Sequence, residues 1–153
     1  MITVTAWQPL AEKLIKQFEG CRLTAYPDPG TGGDPWTIGW GATGPDIHKG
    51  TVWTQGQADE RFREHMSEFG DGVVKLIGVS PTTAHQMAAM VSFAFNVGLG
   101  NFRHSTLLRK HIEGDYVGAQ DEFRRWARSA GRVLPGLVRR RDDEAALYGE
   151  PDA

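Results

Sequence analysis

The chain carries a single cysteine, Cys21, among 153 residues, so no internal disulfide can form. A free cysteine commonly serves as a small buried apolar side chain, and that role is expected here. Five histidines (His48, His65, His85, His104 and His111) show no metal-ligand spacing and have no Cys/His cluster to help them, so neither metal nor cofactor is expected. No run approaches the ~18 apolar residues of a membrane span, which predicts no stable membrane insertion. The opening M-I-T-V-T-A-W-Q-P-L lacks the basic flank and apolar core of a secretory signal. Repeats, low-complexity tracts and linkers are also absent. Net charge is small, −2, and no nucleic-acid-binding motif is present, which makes a nucleic-acid partner a distant alternative.

The composition, 40% hydrophobic and 24% charged, is that of a globular chain long enough to bury a core. Nineteen glycines predict many turns. Charge is unevenly spread: residues 103–141 hold ten Lys/Arg against four Asp/Glu, whereas residues 1–102 hold seven against ten. A basic C-terminal half attracts anionic polymers in a salt-dependent way. The commoner fate of such arginines is a solvated helix face laced with ion pairs, which is expected for most of them. The run Arg139, Arg140 and Arg141 is read the same way, paired with Asp142, Asp143 and Glu144, with a site role open for one of the three.

Hydrophobic periodicity predicts a first helix from Pro9 to about Glu19, closed by Gly20, with Leu10, Leu14, Ile15 and Phe18 on its buried stripe. Leu23–Tyr26 and Trp36–Gly41 read as short strands around a Pro/Gly-rich loop. Thr54 and Gln57 form a capping-box pattern opening a long helix lined by Ala58, Phe62, Met66, Phe69, Val73 and Ile77. Ser80-Pro81 is expected to start a core helix, M-A-A-M-V-S-F-A-F, that ends at Asn96–Gly98. Shorter helices follow near Ser105, near Asp115, and from about Leu137 to Tyr148. The result is α+β: one domain over 1–153, a small β-lobe at about 21–53, and a helical lobe at about 54–148 joined by the N-terminal helix, with a cleft between the lobes.

The segment Glu19–Gly41 reads E-G-C-R-L-T-A-Y-P-D-P-G-T-G-G-D-P-W-T-I-G-W-G. Glu19 stands at a helix end whose partial negative charge disfavours a carboxylate, while Arg22 nearby acts in the opposite sense. Asp28 sits between two prolines in a stiff loop, and Thr37 opens a strand. Two carboxylates in unlike surroundings are the requirement of glycoside hydrolysis, one protonated to act as acid and one ionised. Tyr26, Trp36 and Trp40 can flank sugars, although aromatic residues in a hairpin more often pack beneath it.

This segment resembles the active-site region of phage-type lysozymes (glycoside hydrolase family 24). F-N-V-G-L-G-N-F with S-T-L-L-R-K, and G-L-V-R-R-R, resemble the family's later motifs, so the likeness spans roughly Leu10 to Tyr148. It implies a lysozyme-like fold and an N-acetylmuramidase endolysin acting on peptidoglycan. Glu19 would be the general acid, and Asp28 and Thr37 would position the water, with Phe95 and Ser105 as glycan contacts. It also implies a monomer made in the host cytoplasm, reaching the wall once a holin has opened the membrane. A non-catalytic peptidoglycan-binding module of a phage particle is the alternative. The family's aspartate-to-threonine spacing would land on Asp34; the T-I-G-W-G motif instead places that role on Thr37, beyond a longer loop. Phe95 as core and Ser105 as helix cap are the expected structural roles, which a contact role does not exclude.

Overall fold

The computed structural model describes residues 6–151. The chain forms two compact units: Glu19–Ser67, and the residues up to Phe18 together with those from Glu68 onward.

In the first unit, β1 (Arg22–Tyr26) pairs antiparallel with β2 (Thr37–Gly39). Arg22 faces Gly39 and Tyr26 faces Thr37, with an irregularity between them, because five residues of β1 oppose three of β2. Isolated bridges, Thr24 to Val52 and Ile38 to Ala42, extend the pairing beyond these two strands. Ile38, Ala42 and Ile47 form the unit's buried cluster, with Ala25, Trp36 and Trp53 packed against it. Trp36 is therefore part of the packing beneath the hairpin.

The helix α2 (Gln55–Ile77) begins in this unit and continues into the other. Its start is a reciprocal capping box: the Thr54 amide donates to Gln57 Oε1 (2.8 Å), and the Gln57 amide donates to Thr54 Oγ1 (3.2 Å). Ala58, Phe62, Met66, Val73 and Ile77 are buried along one face, and Phe69 is half-buried. Arg61 hydrogen-bonds Asp46 and lies 5.0 Å from the Trp53 ring centroid. That bond holds the exposed Asp46 carboxyl below its ordinary range.

The helical unit contains α1 (Trp7–Phe18), α3 (Ala84–Val97), α4 (Leu99–Arg103), α5 (Thr106–Ile112), α6 (Tyr116–Glu122) and α7 (Pro135–Tyr148). A two-residue ladder, β3 (Arg128–Ser129) with β4 (Arg132–Val133), lies between α6 and α7. α3 is its centre, buried without a break from Gln86 to Ala94. Phe93 meets Phe123 and Trp126 edge to face, at 5.5 and 5.4 Å between centroids, a geometry worth about 0.5–1.5 kcal/mol per pair beyond burial. Close approach fixes one glycine of α2: a Cβ on Gly70 would stand 2.5 Å from the Trp7 ring.

Several expected boundaries move. α1 starts at Trp7, which leaves Pro9 inside the first turn, where its missing N–H costs nothing. Ser80-Pro81 does not open α3; Thr83 does, through a capping box with Gln86 that satisfies two otherwise orphaned donors. α7 begins at Pro135, so Pro135-Gly136 is its first turn and not a preceding one. Cys21 is half-buried, not buried, and its Sγ accepts a long contact from Gln55 Nε2 (3.7 Å).

The arginine run pairs with Glu144 as expected, but the group is buried and not solvated. Arg140 and Arg141 are 3% and 1% exposed, and Glu144 is fully buried. Arg140 Nε donates to Glu144 Oε2 (3.3 Å), and Ser92 Oγ donates to the same oxygen (2.6 Å). Arg141 Nε lies 2.8 Å from Glu144 Oε1, out of line for a hydrogen bond, so that contact is Coulombic. Asp142 pairs with Arg124 (3.1 Å), and Arg139 is exposed. Among the described residues, no helix is long and apolar enough to cross a membrane.

Candidate active site

Glu19, Asp28 and Thr37 all fall within the Glu19–Ser67 unit, on the β1–β2 hairpin and its flanks. Glu19 is the first residue after α1, in a bend, and is half-buried. Its Oε2 lies 3.4 Å from where a Cβ on Gly41 would stand. Gly41 has φ +96°, a conformation that side chains rarely adopt, and so presents bare backbone to the carboxylate. The turn carrying it is closed by two hydrogen bonds, the Ile38 amide to Ala42 O (3.0 Å) and the Ala42 amide to Ile38 O (2.8 Å).

Asp28 and Thr37 occupy the opposite end of the hairpin. The Asp28 amide donates to Gly33 O (2.9 Å), and Asp28 O accepts from the Gly32 amide (2.8 Å), which closes a compact loop. Asp28 Oδ2 lies 3.2 Å from the Cβ position of Gly30, so a side chain there would crowd the carboxylate. Thr37, half-buried, faces Tyr26 across the ladder. Its hydroxyl donates to Pro35 O at 3.5 Å, the limit of hydrogen-bond range, and is only weakly committed. Asp34 is exposed, and it serves the loop through its backbone: its carbonyl accepts from Thr31 Oγ1 at 2.6 Å. The Asp34–Pro35 peptide is cis.

A supporting network was not visible in sequence. Asp59 Oδ1 accepts from Trp40 Nε1 (2.8 Å) and from Gln55 Nε2 (3.0 Å). The first two turns of α2 thereby hold Trp40, next to Gly41, and touch Cys21, two residues past Glu19. Trp40 also meets Phe62 edge to face at 6.3 Å. Tyr26 is half-buried, with the Arg22 guanidinium 4.8 Å from its ring centroid.

The two helical-lobe positions lie in the other unit. Phe95 is half-buried near the end of α3, its ring 5.3 Å from that of Phe69. Ser105 is 6% exposed and caps α5, accepting from the Leu108 amide (3.1 Å) and donating to Phe102 O (2.6 Å). It also lines a shallow pocket of about 420 Å³ with Arg103, His104 and Arg109. Among the described residues, no group of three or more His, Cys, Asp or Glu could hold a metal ion.

The phage lysozyme family model matches residues 16–144, and the chain belongs to that family. It is 44% identical over 135 residues to the endolysin of Bacillus phage B103, covering 88% of this chain and 51% of that protein. It is 40% identical to the endolysin of Acyrthosiphon pisum secondary endosymbiont phage 1, covering 88% and 92% of the two chains. The fold is lysozyme-like: it superposes on the muramidase domain of SpmX from Asticaccaulis excentricus with a TM-score of 0.82. That match is 34% identical and covers 93% and 96% of the two chains. The chain spans about half the length of the Bacillus phage relatives it matches.

Proposed function

We propose that this chain is an endolysin with N-acetylmuramidase activity. It hydrolyses the β-1,4 bond between N-acetylmuramic acid and N-acetylglucosamine in peptidoglycan, lysing the wall for phage release. Membership of the phage lysozyme family supports the class of reaction. The observation that carries the assignment of roles is the hairpin, which frames one strand with Glu19 before it and Asp28 after it.

Glu19 gives its proton to the leaving glycosidic oxygen as the bond to the anomeric carbon breaks. A water attacks that carbon from the opposite face, Asp28 takes the water's proton, and the Thr37 hydroxyl orients the water. β1 rises roughly 13 Å from end to end at ~3.3 Å per step. Inversion of the anomeric centre requires the carboxylates to stand ~6.5–9.5 Å apart, with room for a water between them. Retention through a glycosyl-Asp28 intermediate needs about 5 Å. The same proposal includes action as a monomer, synthesis in the host cytoplasm and access to the wall through a holin-opened membrane.

Glu19→Gln should fold with an unchanged circular dichroism spectrum. It should lose about 10²–10⁴-fold in the clearing rate of permeabilised Gram-negative cells. Products with N-acetylmuramic acid at the new reducing end identify the bond, and NMR of the first-formed anomer reads the stereochemistry. Near-normal clearing by the variant would remove Glu19 from the chemistry. Wall binding without hydrolysis by the unaltered protein would leave a peptidoglycan-binding module.

A further inference from the structure

Between Phe123 and Arg141 the chain holds seven arginines and no acidic residue. Four of them are accounted for: Arg124 pairs with Asp121 and Asp142, Arg125 pairs with Glu122, and Arg140 and Arg141 are buried around Glu144. Arg128, Arg132 and Arg139 are exposed and have no carboxylate partner among the described residues. Arg128 and Arg132 stand on the β3–β4 ribbon, which is held in shape by its ladder and by the Leu134 amide bonding Ala127 O (3.0 Å).

The ladder register sorts the side chains. Arg128 opposes Val133, so these two share a face, because directly paired residues project to the same side. Arg132 and Leu134, the extended residue that follows β4, share the other face. Val133 is 53% exposed and Leu134 40% exposed. Each side of the ribbon thus offers one guanidinium without a carboxylate partner, that of Arg128 donating only to Gly131 O (3.4 Å), beside one solvent-facing aliphatic group. Arg139 completes the set from the first turns of α7, its Nη2 3.9 Å from the Cβ position of Gly136, two residues past Leu134.

We propose that this ribbon, with Arg139, is a docking surface for an anionic phospholipid membrane. Charge complementarity supplies the attraction, since basic side chains gather at anionic headgroups. The aliphatic pair decides between occupants. A lipid interface accepts aliphatic side chains below its charged headgroups, which suits a basic surface interspersed with Val133 and Leu134. The ribbon belongs to the other unit from Glu19, Asp28 and Thr37, and the proposal does not depend on the proposed reaction.

The test is flotation of the full chain with vesicles of phosphatidylglycerol and phosphatidylethanolamine, against vesicles of phosphatidylcholine alone. Binding should favour the anionic vesicles and weaken with salt. Substituting Arg128, Arg132 and Arg139 together by Gln should lower affinity about five- to twenty-five-fold, at about fivefold per basic residue near an anionic surface, because the two ribbon faces cannot both lie flat on one membrane. Val133→Ser with Leu134→Ser should weaken binding with the arginines intact. Both variants should digest purified, lipid-free peptidoglycan like the parent chain. Glu19→Gln should bind vesicles normally, which keeps this proposal distinguishable from the catalytic one. Equal binding to both vesicle types, or undiminished binding by the arginine variant, would overturn it. An unaffected aliphatic variant would do so as well, marking a plain polyanion site.

Discussion

His111 lies at the centre of a hydrogen-bonded chain and is itself 0% exposed, between the rings of Tyr116 and Tyr148. Thr82 Oγ1 donates to Ser80 O (3.0 Å), so toward His111 it must accept, and Nε2 (2.8 Å away) carries the ring proton. Nδ1 is then the acceptor for the Tyr148 hydroxyl at 2.5 Å. A second proton on the ring would face that hydroxyl head-on and bring a charge into an apolar surround. Burial lowers the His111 pKa from 6.5 to about 4 and pushes that of Tyr148 upward. The folded pKa lies below the unfolded one, so the unfolded chain binds the proton first. The stabilisation is complete above pH 6.5 and lost as pH falls toward 4. The loss is about 3 kcal/mol at ~1.4 kcal/mol per pH decade. For a chain of this size that is about 6–12 °C in melting temperature. Replacing His111 by Gln costs stability at neutral pH, about 1–3 kcal/mol for partners left unsatisfied. The informative quantity is the difference between the two proteins, measured by urea unfolding from pH 7 to 4, because their other titrating groups cancel. That difference should shrink by about 3 kcal/mol across the range. Parallel pH–stability curves, or an imidazole NMR titration centred near 6.5, would refute the reasoning.

Other substitutions probe the remaining features. Glu144→Ala should cost about 3–5 kcal/mol in chemical denaturation, because it leaves the Arg140 and Arg141 guanidiniums buried without their shared carboxylate. Burial pushes the Glu144 carboxyl up and the Arg141 guanidinium down while their attraction opposes both shifts, so replacing the whole group by apolar residues should cost far less. Gly41→Ala should lose about 1–2 kcal/mol of stability from its positive φ, and clearing activity should fall with it as the new methyl meets Glu19 Oε2. Ala130→Asn should raise the melting temperature by a few degrees, about 0.5–1 kcal/mol. Ala130 and Gly131 both have positive φ in the β3–β4 turn, where Asn-Gly is the favoured pair.

What could be read from the chain followed how local each signal was. The caps at Thr54, Ser105 and Asp115 and the stripe from Ala58 to Ile77 act within a few residues, and the structure places them as expected. Pro81 misled because proline suits any first turn, and only the Thr83–Gln86 box distinguishes the true start. The β3–β4 ribbon has two residues per strand and an Ala-Gly turn, so it carries neither alternation nor the usual hairpin dipeptide. Buried charge was also hidden: Arg140, Arg141 and Glu144 look like any solvated helix face until Ser92 and Asn96 arrive from α3. At the candidate site, Glu19, Asp28 and Thr37 were legible through one contiguous segment. Gln55 and Asp59 were not, since they reach Trp40 and Cys21 only through the fold.

Pairing with Tyr26 makes Thr37 a position defined by its cross-strand neighbour and not by counting along the chain. The intervening residues can then lengthen or shorten while the ladder holds its partners opposite. Doubling such a segment costs only about 0.6 kcal/mol in closure entropy. The stretch from Pro29 to Pro35, between Asp28 and the packed Trp36, is therefore a place where residues can be inserted or deleted, and where an engineer could graft sequence without moving the hydroxyl that follows.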